Sequence, residues 1–444
     1  MTSYTEIRKD IERKVERTRR ALREHITNAG RLAVIKAPPG SGKTHLLIQA
    51  AYYAWQAGRR VAVACQTNAQ ADDVCRRLGR DYPKVKPIRF AGSGGEPRDL
   101  GQAVRWATQK TELPHDRCVV VGTAAKWGLI TLDHPFDLLF VDEAWQMAWK
   151  DFMLCGQVAP RFILIGDPGQ IPPVITIDTA RWETSPRPPH LPAPEVILGS
   201  GDIDYLPLEL PASRRLPHDA VELIQPFYDF SFASFAGPGE RAIMMQQRGR
   251  TKIDGAIDIL REASVAALTL PTPASGPPLE RDDEVAALAA NVVIRLLERG
   301  GTFHENGVVQ KIEPHHIGVA ATHRVMNLEM QLKLPGKVRR VVRVDTPERW
   351  QGLECPVMVV VHPLSGVTRP STFDLDTGRL CVMASRHRGG LILIGRDHLD
   401  ETLEKLIPSA AQAVGRPDVT GRGHEQHLAF WHALRRNERV VRVA

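Results

Sequence analysis

The chain has 444 residues, a length that suits two or three domains, each able to bury a core of its own. Its 43% apolar and 25% charged residues are typical of a soluble globular protein, and they argue against a disordered or fibrous chain. No apolar run approaches the roughly 20 residues that cross a bilayer, and the charged N-terminal stretch lacks a signal core, so we expect neither a membrane partner nor secretion.

The six cysteines are scattered without a C-x-x-C pair, which argues against zinc and iron–sulfur sites and for a reducing cytoplasm. The net charge of +7 favours nucleic acid as a partner, although only weakly by itself. Arginine outnumbers lysine, and alanine and proline are abundant, which is typical of a bacterial or phage genome rich in G and C. We therefore expect the cytoplasm of a bacterium or of a phage-infected bacterium.

Residues 4–28 predict one charged helix, because Ile7, Ile11, Val15 and Leu22 recur at near-helical spacing. Two interpretations stay open for it. It is either a solvated helix that packs on the first domain or an arm that contacts nucleic acid.

The next stretch, RLAVIKAPPGSGKTH, predicts a buried strand, a glycine loop and the first turn of a helix. In this context the loop is a phosphate cradle: backbone N–H groups approach the phosphates, and the helix N-terminus adds partial positive charge. Lys43 would reach the β- and γ-phosphates and Thr44 would ligate Mg²⁺. Ala37 stands at the usual first glycine position, and an ordinary strand-to-helix turn is the alternative. The predicted cradle consists of Pro39, Gly40, Ser41, Gly42, Lys43 and Thr44.

Short apolar runs then alternate with helical patterns, which predicts a parallel α/β sheet. The predicted strands of this half are 61–65, 84–90, 118–121, 136–141 and 161–165, and the predicted helices are 69–78 and about 100–109. Polar clusters follow the strands directly, and the carboxyl ends of parallel strands are where such sheets bind ligands. Asp142 and Glu143 follow one strand: Asp142 would hold Mg²⁺, and Glu143 would deprotonate the attacking water.

Residues 174–207 are rich in proline and predict an irregular surface connection. A second α/β pattern follows without a phosphate loop. Its predicted strands are 266–270, 317–321, 341–344, 357–361 and 391–394, and its predicted helices are 219–227, 283–299, 380–386 and 427–434. We expect an α/β fold with two tandem parallel-sheet domains. The predicted division is 1–30 (charged helix), 31–215 (first domain), 216–407 (second domain) and 408–444 (linker and helix).

The ordered motifs resemble those of the superfamily 1 helicases, in particular the DEAxQ group typified by RNA-surveillance and Okazaki-fragment-processing helicases. The resemblance runs from about Leu32 to Arg396, and it implies two tandem RecA-like parallel-sheet domains with the nucleotide site in the cleft between them. The matching stretches are APPGSGKT, QTNAQADDV, VVVGTAAKW, VDEAWQ, GDPGQIPP, LPASRRLP, IGVAATHR, VDTPERWQGLE and VMASRHRGGLILIG.

The resemblance implies roles for individual residues. Gln170 would sense the γ-phosphate, Arg215 and Arg386 would act as arginine fingers, and Glu354 would couple the nucleotide to the second domain. A structural salt bridge is the alternative for the last three. The implied contacts to the nucleic-acid strand are Thr67, Asn68, Thr123, Thr322, Thr346 and Trp350. Trp350 is equally well interpreted as a base-stacking or as a core residue, whereas Trp127 and Trp145 favour packing.

Three departures from the family pattern concern the nucleotide. No glutamine precedes Gln49, so the residue that reads adenine in relatives is missing. Arg214 stands where relatives carry a tyrosine that stacks on the base, and a guanidinium can stack there too. His387 interrupts the R-A-R pattern, which Arg386 and Arg388 otherwise keep.

The resulting hypothesis is an ATP- and Mg²⁺-dependent helicase or translocase on single-stranded nucleic acid, with DNA slightly favoured over RNA and 5′→3′ movement by analogy. The first alternative is a nucleic-acid-binding ATP switch that does not unwind by itself, in a replication, conjugation or defence complex. It is motivated by the absence of room for the accessory domains of relatives. The second alternative, a P-loop kinase, leaves Gln170, Glu354 and Arg386 without a role.

Overall fold

The computed structural model describes residues 4–175, 178–182, 184–406 and 419–443. The chain forms two compact units: the first covers Met1–Pro168 and Pro172–Pro211, and the second covers Gly169–Ile171 and Ala212–Ala444. Within the described ranges, no helix has both the length and the apolar character needed to cross a membrane.

The first unit is built on one parallel sheet with the strand order β4-β3-β5-β2-β6-β7-β1-β8. Its strands are β1 (Leu32–Lys36), β2 (Arg60–Cys65), β3 (Ile88–Phe90), β4 (Arg105–Ala107), β5 (Cys118–Thr123), β6 (Leu138–Asp142), β7 (Phe162–Gly166) and β8 (Leu206–Glu209). Its helices are α1 (Tyr4–Thr27), α2 (Lys43–Gln56), α3 (Asn68–Asp81), α4 (Ala124–Gly128), α5 (Trp149–Cys155) and α6 (Ala193–Gly199).

Both faces of this sheet are buried, which explains why its strands are continuous apolar runs. In β1, Ala33 and Ile35 contribute to one hydrophobic core while Leu32 and Val34 contribute to the other. Helix α1 packs on this unit through buried Leu22 and Ile26. The structure therefore agrees with the packed-helix interpretation of the N-terminal segment.

The second unit contains a parallel sheet with the strand order β16-β15-β17-β18-β12-β19. Its strands are β9 (Ala212–Ser213), β10 (Ala233–Ser234), β11 (Arg241–Met244), β12 (Val265–Leu270), β13 (Thr302–Glu305), β14 (Val308–Lys311), β15 (Ile317–Ala320), β16 (Arg343–Asp345), β17 (Cys355–Val361), β18 (His387–Arg396) and β19 (Val440–Arg442). Its helices are α7 (Ala220–Ile224), α8 (Lys252–Ile259), α9 (Asp283–Glu298), α10 (Arg324–Lys333), α11 (Gly336–Arg339), α12 (Pro347–Trp350), α13 (Thr377–Ala384), α14 (His398–Lys405) and α15 (Val419–Arg436).

Two cores flank the sheet of the second unit. Met358 and Val360 of β17 face the core that contains Phe430 of α15, while Val357 and Val359 face the core beneath α9 and α10. The C-terminal segment completes the unit, because α15 buries Phe430 and β19 adds an edge strand beside β12. The α/β fold class with two tandem parallel-sheet domains is confirmed.

Several local expectations were wrong. Residues 100–109 form no helix; they carry β4, which extends the parallel sheet beside β3. Residues 174–207 include α6 and the start of β8, so the proline-rich segment is not wholly irregular. Pro207 is tolerated in β8 because this strand lies at the edge of the sheet. The three-stranded antiparallel sheet β11-β13-β14 was not foreseen. Most of the predicted C-terminal linker lies outside the described residues.

Candidate functional site

The glycine loop joins β1 to α2 at the carboxyl edge of the first sheet. Gly40 and Gly42 have φ angles of 67° and 88°, in the left-handed region that side chains other than glycine rarely adopt. Gly42 directly precedes the first residue of α2, so the first N–H groups of the helix face the loop. The buried hydroxyl oxygen of Ser41 has no hydrogen-bond partner among the described residues. The Ser41 hydroxyl and the N-terminus of α2 are therefore placed to receive a phosphate chain.

Lys43 lies among three carboxylates. Its Nζ is 3.8 Å from Oε1 of Glu143 and 3.7 Å from Oδ2 of Asp167, and only 9% of the side chain is exposed. Asp142 is buried beside them at the end of β6. The strands β1, β6 and β7 are neighbours in the sheet, so their carboxyl ends bring these four side chains together.

The cluster contains three carboxylates and one lysine, and the excess of carboxylates is reflected in a raised pKa of Asp142. Burial and the neighbouring Glu143 raise the pKa of Asp142 to about 7, against the lowering effect of Lys43. Glu143 adopts a left-handed backbone conformation with φ of 50°, and its backbone N–H donates to Oδ1 of Asp142 at 3.1 Å. Its buried Oε2 has no hydrogen-bond partner in the part of the chain that the structure describes. Such an oxygen is available to accept a proton.

A divalent cation fits this donor set. The raised pKa of Asp142 shows that its negative charge is poorly compensated, and a cation would compensate it. The described ranges contain no group of three or more His, Cys, Asp or Glu side chains able to hold a metal by itself. Proteins usually bind Mg²⁺ through one or two carboxylates together with substrate phosphates, and Asp142 could supply one such carboxylate.

Asp167 belongs to this cluster, and sequence analysis assigned it no role. It follows β7 in the stretch GDPGQIPP, in which the resemblance gave a role to Gln170. The available signal was its position directly after the predicted strand 161–165; the structure adds that this strand pairs with the strand of the phosphate loop. Its burial beside Lys43 shows that the cluster contains three carboxylates where the motif Asp142-Glu143 alone suggested two.

Three of the residues predicted to contact the nucleic-acid strand lie in the first unit, just after β2 and at the end of β5. Thr67 caps α3 by accepting the N–H of Gln70 at 3.2 Å, and Thr123 caps α4 by accepting the N–H of Lys126 at 3.2 Å. Oδ1 of Asn68 accepts from Nη2 of buried Arg89 at 2.7 Å. The structure therefore gives each of these side chains a local structural role at the carboxyl edge of the sheet.

The other three lie in the second unit: Thr322 and Thr346 follow β15 and β16, and Trp350 is the last residue of α12. The buried Oγ1 of Thr322 has no hydrogen-bond partner within the described ranges, whereas Thr346 is the residue before α12. Trp350 is 3% exposed, and its Nε1 donates to the carbonyl oxygen of Val319 at 3.1 Å. This geometry favours the core interpretation of Trp350. Trp127 and Trp145 are likewise buried.

Arg215 lies in a cationic cluster of the second unit. Its Nε is 2.6 Å from Oε2 of Glu354, and Glu354 is also 3.8 Å from Arg388. Glu305 of β13 pairs with Arg388 and, at 3.1 Å, with Arg241 of β11. Three guanidinium groups thus share two carboxylates. Burial lowers the pKa of Arg241, and the neighbouring Arg215 lowers it further. Sequence analysis did not identify Arg241 or Glu305, because both lie on the unforeseen antiparallel sheet.

Arg386 is fully buried in the second unit: its Nε donates to the carbonyl oxygen of Val382 at 3.0 Å and its Nη2 to Oγ of Ser385 at 3.3 Å. Burial lowers the pKa of the adjacent His387 to about 4, so its imidazole is neutral at pH 7. The exposed guanidinium of Arg214 lies 4.2 Å from the ring centroid of Phe235. An aromatic side chain is therefore present beside the residue that replaces the usual tyrosine.

Gln170 is buried among residues of the second unit. The glycine before it, Gly169, lies so close to Tyr228 that an added Cβ would come within 2.5 Å of the phenol oxygen. Gln351 donates to the carbonyl oxygen of Ile171 at 3.5 Å. The segment Gly169–Ile171 is thus built into the second unit, two residues after Asp167 of the first.

Comparison with known proteins agrees with this geometry. Residues 16–181 match the family AAA_30, described as an AAA domain. The resemblance to the superfamily 1 helicases and to their DEAxQ group rests on the motifs. No curated protein sequence matches the chain.

Several solved helicase structures are similar to the chain. The structure of PRRSV helicase is 16% identical with a TM-score of 0.42, over 85% of this chain and 54% of that one. The complex of Arterivirus nonstructural protein 10 (helicase) with DNA is 14% identical with a TM-score of 0.44, over 86% and 64%. The DUF1998 helicase MrfA bound to DNA is 10% identical with a TM-score of 0.40, over 95% and 55%. The chain thus spans between 54% and 64% of the lengths of these proteins.

Proposed function

We propose that the chain is an ATP-driven helicase or translocase on single-stranded nucleic acid. The observation that carries the proposal is the position of Lys43, which lies behind a glycine loop and within 3.8 Å of two carboxylates. A lysine so placed serves a phosphate chain, and the carboxylates serve a cation and an attacking water. The order of the motifs in both units extends the proposal from nucleotide hydrolysis to work on nucleic acid.

The chemistry assigned to the first unit is hydrolysis of the terminal phosphate. Glu143 accepts a proton from water as the water oxygen bonds to the γ-phosphorus, and the bond to the β-phosphate oxygen breaks to release ADP and phosphate. Thr44 and Asp142 would hold Mg²⁺, which neutralises charge on the phosphate oxygens when bound. Lys43 and the N–H groups of the loop stabilise the negative charge that shifts toward the leaving group.

The roles in the second unit rest on the resemblance. Gln170, Arg215 and Arg386 would contact the γ-phosphate and Glu354 would relay its presence, so that hydrolysis opens and closes the two units. Arg214 would stack on the base. The strand would be held by Thr67, Asn68, Thr123, Thr322 and Thr346 through sequence-independent contacts. Movement in the 5′→3′ direction, DNA over RNA, and a bacterial replication, conjugation or defence complex complete the proposal.

The test is ATP hydrolysis by the purified protein with and without single-stranded DNA or RNA. We expect stimulation by a polynucleotide, and we expect Lys43→Ala to abolish hydrolysis in both conditions. Lys126→Gln, at a lysine outside the phosphate loop, serves as the control that retains basal hydrolysis. Active protein that no polynucleotide stimulates would contradict the proposal.

A tailed-duplex assay separates the motor from the non-unwinding switch. Strand separation by the protein alone, with a 5′ tail and ATP, supports the motor and its direction. If a polynucleotide stimulates hydrolysis but the protein separates neither a 5′-tailed nor a 3′-tailed duplex, the non-unwinding ATP switch would be the better hypothesis.

A further inference from the structure

Helix α10 carries apolar side chains on two opposite faces. Met326 and Met330 point inward and are buried in the core of the second unit. On the other side Val325, Leu328 and Leu332 are 45%, 56% and 55% exposed. Their i, i+3 and i+7 spacing places them in one stripe, which spans about 10 Å along the helix. Single exposed leucines are ordinary, but an aligned row of three on one helix is not required by the core.

The charge around the stripe is strongly positive. Residues 324–343 contain six basic residues and one acidic residue. The acidic residue, Glu329, is engaged by Lys333 at 3.1 Å and by Arg281 at 3.2 Å. Arg324 precedes the stripe, and Lys337 and Arg340 follow it on and after α11. These two following cations are exposed.

We propose that α10 and α11 form a docking surface for an acidic amphipathic helix of a partner protein. The stripe supplies a ridge of aliphatic side chains for the apolar face of such a helix. The cations at its ends would pair with acidic residues that border that face. A second copy of this chain fits poorly, because it would bring an equally basic surface against this one.

The chemistry of the stripe also favours a protein over nucleic acid. Sites that bind single strands stack bases on aromatic rings, and the three exposed residues are all aliphatic. Leu328 and Leu332 would gain nothing from contact with a phosphate backbone. The same cations without the stripe would suffice for nucleic acid, so the stripe and the cations can be tested separately.

The experiment uses the full chain and a synthetic peptide of about 16 residues, long enough to form a helix, with leucines at helical spacing and glutamates between them. A second peptide replaces each glutamate with lysine. We expect the acidic peptide alone to bind, with an affinity that Leu328→Asp lowers by about tenfold or more. Lys337→Glu/Arg340→Glu should lower it by a similar factor and remove its salt dependence.

Leu129→Asp is the matched control, because Leu129 is 84% exposed and lies in the first unit. It should leave peptide binding unchanged, and thermal unfolding should verify that each variant is folded. Equal binding of both peptides, or binding insensitive to Leu328→Asp, would overturn the proposal. So would either of two other outcomes: loss of single-stranded DNA binding in the Lys337/Arg340 variant without a peptide effect, or peptide-free binding to phosphatidylserine vesicles that needs Leu328.

Discussion

The ionised form of Asp142 is destabilised in the nucleotide-free protein, because its carboxylate is buried beside Glu143. Its pKa is raised from an ordinary 3.8 to about 7, so the folded protein binds this proton more tightly than the unfolded chain does. The free energy of unfolding must therefore fall as pH rises between those two values. From pH 5.5 to pH 8 we expect this group to remove about 2 kcal/mol. Denaturant unfolding without nucleotide or Mg²⁺ measures it.

The control for that prediction is Asp142→Asn, which cannot ionise. Buried histidines act in the opposite direction, because His387 and His427 have lowered pKa values and destabilise the fold when protonated. The quantity to compare is therefore the difference between the wild-type protein and Asp142→Asn at each pH. A difference that does not change with pH would show that Asp142 titrates normally. The variant should also lose hydrolysis, although it is the more stable protein at pH 8.

Arg215 is held by Glu354 in the second unit, and two interpretations of it predict different results. An arginine finger removed by Arg215→Ala lowers kcat by about 10³-fold or more. A structural ion pair lowers stability instead, and only modestly, because the Glu354 side chain is 41% exposed. We expect the first result, with a melting temperature close to that of the wild-type protein.

Glu354→Gln provides the comparison for Arg215. It removes the carboxylate charge but keeps a hydrogen-bond acceptor for the Arg215 guanidinium. Hydrolysis that is lost in Arg215→Ala and largely kept in Glu354→Gln assigns the rate effect to the guanidinium. Equal losses of melting temperature in both variants, with kcat unchanged, would contradict the finger.

Helix α3 and strand β3 are joined by one buried guanidinium. Nε of Arg89 donates to Oδ1 of Asp72 at 2.7 Å, and Nη2 donates to Oδ1 of Asn68 at 2.7 Å. Removing it in Arg89→Ala leaves the buried Asp72 carboxylate with Arg98 as its one remaining ion-pair partner among the described residues. We expect a loss of about 3 kcal/mol in the free energy of unfolding. Because Asn68 also loses its partner, affinity for single strands should fall as far as it does in Asn68→Ala.

Arg98→Ala is the matched control for Arg89. It pairs with the other oxygen of Asp72 at 2.7 Å, but 61% of its side chain is exposed. Exposed pairs contribute about 0–1 kcal/mol, so this variant should unfold almost like the wild-type protein. If both variants lose the same free energy of unfolding, burial does not make the Arg89–Asp72 pair more stabilising than the exposed Arg98–Asp72 pair.

The elements that sequence analysis predicted well are those with a strong local cause. Buried parallel strands such as β2 and β17 are continuous apolar runs, and the loop before α2 carries glycines at its two left-handed positions. Strand β4 was mistaken for a helix because three residues carry no periodicity, and only pairing with β3 makes them a strand. In the β11-β13-β14 sheet, Asn306-Gly307 is a local signal for the β13-β14 hairpin that sequence analysis overlooked. Strand β11 pairs with β13 across more than fifty positions, and nothing local indicates that pairing.

The same distinction holds inside the candidate site. Lys43 and Asp142 belong to patterns that chemistry fixes at short spacing, so a single sequence suffices to select them. Asp167 and Arg241 reach their clusters through strand order and through the pairing of distant strands. Neither strand order nor pairing can be read from adjacent residues. Trp350 could be singled out within its motif but could not be assigned to the core or to the surface, because an aromatic ring suits either environment.

At the scale of the whole molecule, the net charge of +7 is unevenly distributed along the chain. Residues 324–343, with six basic residues and one acidic residue, supply much of it. A basic total alone would therefore overstate the charge available to a nucleic-acid strand at the ends of β2 and β5, which lie in the first unit. The strand-contact residues proposed there are mostly neutral threonines, which position phosphates by hydrogen bonds and contribute no counterion release. The number of cations that contact the nucleic-acid strand can therefore be measured from the salt dependence of the binding affinity.

If about four phosphates of a single strand are neutralised, the logarithm of affinity falls against the logarithm of salt with a slope near −3, or roughly 50-fold from 50 to 200 mM. Fluorescence anisotropy with a labelled homopolymer, measured across that range, gives the slope. The Lys337→Glu/Arg340→Glu variant is the informative comparison, because its cations belong to the surface that we assign to a protein partner. Its slope should equal that of the wild-type protein. An affinity that does not depend on salt would contradict the proposed binding of single-stranded nucleic acid. A shallower slope in the variant alone would show that the cations on and after α11 contact nucleic acid.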